Sequence, residues 1–193
     1  MDTRQTFDCV IFEGLDQTGK STLDKCFATM TGAPNLTLDR AYLTLMVYTA
    51  PRMRGKARED YERALVESAY RFMSAFDETL VVITVAPYPT VLNRMIGESP
   101  RRYQQIVDEF TPEVYRETLA AYVEAANRLP FHAVLMDTTE IGVVAGARLI
   151  ATILQNGVEW IAEREPRGVK WITSGQKKGK RPWETKTVES KAS

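Results

Sequence analysis

The chain has 193 residues, 44% of them hydrophobic and 26% charged, with 25 basic and 25 acidic side chains. These values fit one globular domain plus a tail, and no apolar run, the stretch Leu80 to Pro87 included, is long enough to span a bilayer. The opening Met-Asp-Thr-Arg-Gln-Thr lacks the basic-then-apolar pattern of a signal peptide. A cytoplasmic location is expected, the host cytoplasm if the source is viral. Cys9 and Cys26 read as reduced thiols. The balanced charge hides an asymmetry. Residues 167–193 hold eight Lys or Arg against two Glu, a net +6, and residues 1–166 a net −6. An acidic body with a basic tail suits a polyanionic partner for the tail.

In chain order, Phe7 to Glu13 is a short run of β-formers and reads as a buried strand. Lys20 to Thr31 reads as a helix, with Leu23, Phe27 and Met30 on one face, ended by Gly32-Ala33-Pro34. Asn35 to Asp39 is a second strand, and Ala41 to Tyr48 an apolar helix. Pro51 to Arg58 reads as a basic loop carrying Arg52, Arg54, Lys56 and Arg58. Glu59 to Phe76 is amphipathic. Thr79 to Ala86 is the clearest buried strand, followed by a short helix over Pro89 to Gly97. Arg101 to Leu129 reads as one long helical stretch bent near Pro112. His132 to Asp137 is the last expected strand, and Ile141 to Gln155 the last expected helix.

This alternation predicts an α/β fold with a parallel sheet of about four strands sandwiched by helices. The domain is expected over residues 1–165. Residues 166–193, with Trp171 and Trp183 among lysines, glycines and serines, read as a basic, flexible tail.

Gly14-Leu15-Asp16-Gln17-Thr18-Gly19-Lys20-Ser21 matches G-x-x-x-x-G-K-[ST] without a gap, with an expected strand before it and a helix after it. Loop N–H groups and the helix N-terminus suit phosphate. Lys20 is placed to bridge the β- and γ-phosphates of ATP, Ser21 to hold Mg2+ and Thr22 to reach the α-phosphate. Gly14 and Gly19 are required by the tight turn and the close approach of phosphate. The sequence has no N/T-K-x-D guanine motif and no apolar strand ending in an Asp-Glu pair, so a nucleotide-dependent switch or ATPase is the remoter reading.

The stretch Phe12 to Thr22 resembles the P-loop of thymidylate kinases, and the fold it implies is the nucleotide-kinase type of P-loop NTPase. Asp39-Arg40, leading into Ala41 to Tyr48, resembles the DR or ER(S) motif of thymidylate and deoxynucleoside kinases, above all that of phage-type members. Val81 to Pro87 with Leu92-Asn93-Arg94 resembles the strand and first arginine of the family lid, and Met136 to Thr139 the last strand and its turn. The resemblance implies that Asp16 faces the acceptor. It makes Asp39 a base or a carboxylate of the magnesium shell, and Arg40 a stabiliser of charge on the transferred group. Arg94, with Arg101 or Arg102, would close over ATP. Each has a plainer reading: Asp39-Arg40 as a strand-end ion pair, the arginines as a solvated face, Asp137 as a helix cap.

One departure bears on the acceptor. Thymidylate kinases carry a further strand and helix, with an arginine loop for the acceptor monophosphate, before the Asp-Arg motif. Here only about eight residues separate the first helix from Asp39. Some phage kinases that resemble thymidylate kinases phosphorylate 5-hydroxymethyluracil already in DNA, and that resemblance implies the lead expectation: a pyrimidine deoxynucleotide within DNA, with the hydroxymethyl group of 5-hydroxymethyluracil as acceptor. The basic stretch Arg52 to Arg58 and the tail segment Lys177 to Trp183 would contact DNA. A free thymidine-type nucleotide is the runner-up. No membrane partner is expected, and a homodimer is left open.

Overall fold

A computed structural model describes residues 8–31, 36–76, 78–156, 164 and 166–174. A five-stranded sheet runs in the order β2-β1-β3-β4-β5. Its strands are β1 (Asp8–Glu13), β2 (Leu36–Asp39), β3 (Glu78–Val85), β4 (His132–Asp137) and β5 (Val169–Ser174). The first four are mutually parallel, and β5 pairs antiparallel with β4. The sheet thus has one strand more than expected, and that strand lies in the segment read as tail. Pairing to β4 sets Trp171 against Val134, and its ring lies 5.7 Å from that of His132.

Helices cover both faces. They are α1 (Lys20–Thr31), α2 (Tyr42–Thr44), α3 (Gly55–Met73), α4 (Tyr88–Glu98), α5 (Tyr103–Glu109), α6 (Pro112–Arg128), α7 (Thr138–Ile141) and α8 (Val143–Asn156). The period-2 alternation of β1 divides the core. Val10 and Phe12 pack with Leu23 and Phe27 of α1 and with Ala147, Ile150 and Ile153 of α8. Cys9 and Ile11 pack with Leu43 of α2, Leu65 and Ala69 of α3, and Tyr122 and Ala126 of α6. Full burial of one such large apolar side chain is worth roughly 1.5–3 kcal/mol, so both layers are needed to hold the sheet. Burial also pushes the Cys9 thiol up to about 12, which leaves it an inert core group.

Three expected elements differ. The helix over Ala41 to Tyr48 is α2 followed by a π-helical turn, Leu45–Thr49, and a 3-10 turn, Ala50–Arg52. The basic loop is largely absent, because Gly55 to Arg58 form the first turn of α3. There Lys56 pairs with Asp60 and Arg58 with Glu62 at i,i+4 spacing, which favours helix over loop. The long stretch after Arg101 is broken in two. α5 ends at Glu109, and α6 starts afresh at Pro112, with the Thr111 side chain accepting from the Val114 amide.

Strand order reverses between β1 and β3: from β1 the chain turns outward to β2, then crosses back to β3. In open α/β sheets, ligands bind beyond the carboxyl ends of the strands at such a switch point. The loop Gly14 to Gly19 leaves the end of β1 there.

Candidate functional site

The loop is held from below by hydroxyls. Thr18 is buried; its Oγ1 donates to the Leu15 carbonyl at 2.8 Å and lies 2.7 Å from Thr84 Oγ1 at the end of β3. Thr138 Oγ1, at the start of α7, donates to the Thr18 carbonyl at 2.6 Å. Leu15 points into the core and is 3% exposed, so its side chain serves packing. Gly14 has φ +125°, and a Cβ there would sit 2.5 Å from the Thr84 carbonyl oxygen. Glycine is therefore required by conformation and by space together.

Lys20 is the first residue of α1 and is 5% exposed. Its Nζ lies 3.7 Å from Asp39 Oδ1, while Ser21 Oγ donates to Asp39 Oδ2 at 3.1 Å. The last residue of β2 thus meets the first two residues of α1. Arg40 does not pair with its neighbour Asp39; its guanidinium pairs with Asp16 in the loop. The simple strand-end ion pair is thereby replaced by two separate links from β2 to the loop region. Thr22 lies exposed one position further along α1.

Arg94 of α4 also reaches the loop. Its Nη1 donates to the Gln17 carbonyl at 2.8 Å, and the Gln17 side-chain amide donates to Glu98 at 2.6 Å. Gln17 itself takes φ 63°, in the left-handed region. Arg102 bonds Gln105 at 3.0 Å, and Arg101 is exposed beside it. Between loop and helices lies a cleft of about 500 Å³, walled in part by Asp16, Gln17, Glu98, Arg102, Glu109 and Phe110. Asp137 caps α7, accepting from the Thr139 and Glu140 amides.

Several residues were not singled out from sequence. Glu13 is fully buried; it accepts from the Ala41 and Leu43 amides at 2.8 and 3.0 Å and from Thr44 Oγ1 at 2.5 Å. Burial pushes its carboxyl above the usual carboxylate range, and those hydrogen bonds act in opposition. Tyr122 Oη lies 3.1 Å from Thr44 Oγ1 and donates to the Gly14 carbonyl at 3.2 Å. Burial raises its phenol pKa. Glu13 and Thr138 lie within the stretches Phe12 to Thr22 and Met136 to Thr139 that carry the family resemblance, but nothing in the sequence assigns either a role. Thr84 and Tyr122 give no signal.

No family model matches the sequence, and no curated protein matches it. Among solved structures the chain is similar to the YorR protein of Bacillus subtilis, solved in complex with phosphorylated GDP. The identity is 15% and the TM-score 0.49, over 76% of this chain and 95% of that one. At that level the likeness bears on neither the site nor the activity.

No helix among the described residues is long and apolar enough to cross a membrane. The segment Lys177 to Trp183 lies outside the described residues.

Proposed function

We propose that this chain is an ATP-dependent P-loop kinase that transfers the γ-phosphoryl group to a hydroxyl of a pyrimidine deoxynucleotide. The observation that carries this reading is the convergence of Lys20 and Ser21 on the Asp39 carboxylate, at 3.7 and 3.1 Å. In this reading the loop amides cradle the phosphates, and Lys20 draws charge from the transferred group. Asp39 either takes the proton of the acceptor hydroxyl or sits in the magnesium shell. The acceptor oxygen bonds to the γ-phosphorus as the bond to the leaving ADP oxygen breaks. Arg40, Asp16 and Arg94 position the groups around that exchange.

The Ser21 hydroxyl and the Asp39 carboxylate are both oxygen donors and lie side by side, which fits Mg2+. Bound there, the ion would neutralise phosphate charge.

The lead acceptor is the hydroxymethyl group of 5-hydroxymethyluracil in DNA. The cleft is walled in part by Asp16, Glu98, Glu109 and Arg102, with Asp16 held by Arg40. A hydroxyl acceptor must lose a proton and a phosphate acceptor need not, so a carboxylate at Asp39 suits the hydroxyl. A free thymidine-type nucleotide is the second reading. It is favoured by the engagement of Lys56 and Arg58 with Asp60 and Glu62 on α3, which takes two cations from the surface expected to meet DNA.

The test is incubation with γ-labelled ATP and a panel of free dTMP, plain DNA and DNA containing 5-hydroxymethyluracil, with Lys20→Ala as the blank. The lead reading expects label in the modified DNA that disappears with Lys20→Ala. Label in dTMP alone selects the second reading. Release of free phosphate with no labelled acceptor would turn the site into an ATPase or switch.

A further inference from the structure

Arg40 occupies a costly backbone conformation at the centre of the site. Its φ of 58° lies in the left-handed region, which costs a non-glycine residue of the order of 1 kcal/mol or more. Such a conformation persists only where the surroundings over-determine it. Two contacts do so, one on each side of the residue. The Arg40 amide donates to the Phe12 carbonyl at 2.9 Å. The next amide, that of Ala41, donates to the Glu13 carboxylate at 2.8 Å. Both acceptors belong to the last two residues of β1, immediately before the phosphate loop.

The carboxylate is spent entirely on this task. One oxygen takes the Ala41 and Leu43 amides, and the other takes the Thr44 hydroxyl. With the Thr44 proton committed to Glu13, the Tyr122 hydroxyl must supply its own, shared between Thr44 Oγ1 and the Gly14 carbonyl. The first turn of α2, the start of the loop and α6 are thereby joined through one buried carboxylate that is 0% exposed. A group so enclosed does not reach an acceptor, so it does not serve as the base.

We infer that Glu13 is a positioning residue for the transfer step: through the Ala41 amide it holds Arg40 in the conformation that aims its guanidinium at Asp16 in the loop. The inference rests on the kinase reading above. A displacement of about 1 Å in such a group costs on the order of 10²-fold in rate. A residue that acts through Arg40 should lose its effect when Arg40 is removed.

The experiment is a double-mutant cycle of Glu13→Leu and Arg40→Ala, with kcat and ATP affinity measured separately on folded protein. Amide exchange at Ala41 and Leu43 is followed in parallel. Glu13→Leu removes the acceptor of both amides and should lower kcat by ~10²-fold while leaving ATP affinity nearly unchanged. In the Arg40→Ala background the same change should fall within about 2-fold of Arg40→Ala alone. Exchange at both amides should accelerate, and Glu13→Gln, whose Oε1 still accepts both amides, should recover most of the rate. Should Glu13→Leu fail to fold, the isosteric Thr44→Val removes the hydroxyl donor and is held to the same pattern on a smaller scale. Unaltered kcat and unaltered exchange overturn the inference, as do losses that add in full, since a merely structural carboxylate would give those. If the wild type labels no acceptor, the kinase reading falls and the transfer role falls with it. The exchange data still report whether Glu13 holds the Ala41 amide.

Discussion

Ser21 Oγ donates to Asp39 Oδ2 across 3.1 Å, joining the first turn of α1 to the end of β2. The two residues are 18 apart in sequence, and the parallel pairing of β1 with β2 brings them together. In that register Phe12 lies opposite Asp39, so the carboxylate emerges level with the start of the loop. The sheet, more than any local motif, places a carboxylate beside the first turn of the helix that follows the loop.

Gly14→Ala should damage both fold and site. The new Cβ would lie 2.5 Å from the Thr84 carbonyl oxygen at φ +125°. Strain of this kind costs about 1–3 kcal/mol before any clash. In a chain of this size that lowers Tm by roughly 5 °C or more, with loss of ATP affinity. Gly55→Ala is the control, because nothing lies within 4 Å of its added Cβ at φ +52°. Thermal melts of the two variants check the contrast; equal shifts would contradict it.

Glu62 staples α3 to α6. It pairs with Arg128, and Arg58 adds a second bond at 2.8 Å. Hydrogen bonds from Arg128 and then Arg58 hold its carboxyl below the ordinary value of 4.5. In the window between the two values the unfolded chain binds more protons, so stability rises with pH there. The contribution is full above 4.5 and is lost as pH falls through the depressed folded value. Denaturant midpoints of wild type and Glu62→Gln should therefore converge in acid and separate toward neutral pH. Parallel curves would show that the staple contributes nothing.

The tail must be cut with β5 in mind. Removal of residues 167–193 would strip the edge strand from β4, so the informative truncation ends at Ser174. If DNA is the acceptor, that truncation should weaken DNA phosphorylation and flatten its salt dependence while ATP affinity stays unchanged. Phosphorylation of modified DNA at full rate, with the original salt dependence, would remove the tail from the account.

What the sequence made legible was what is local. The loop from Gly14 to Ser21 is specified by contiguous residues, and its two glycines answer to backbone geometry. Four strands announced themselves as short apolar runs. β5 did not, because Val169 to Ser174 is a modest strand set beside a lysine- and glycine-rich stretch, and only pairing with β4 gives it a partner. Lys56 and Arg58 read as loop residues because Pro51 and Gly55 punctuate the segment, whereas their partners Asp60 and Glu62 lie one helical turn ahead. Glu13 stayed hidden for the opposite reason. Its donors lie 28 to 31 residues away, at a distance that no periodicity reports.

The central claim is that the Lys20, Ser21 and Asp39 cluster performs phosphoryl transfer, and Asp39→Asn tests it most directly. The substitution keeps the shape and removes the charge that meets Ser21 at 3.1 Å and Lys20 at 3.7 Å. A group acting in the transition state affects kcat far more than substrate binding. Single-turnover transfer from γ-labelled ATP should therefore fall by ~10²-fold or more, with ATP affinity within a few-fold of wild type and Tm essentially unmoved. Transfer at the wild-type rate, or a loss confined to ATP affinity or to Tm, would contradict the account and leave Asp39 a structural partner of the loop.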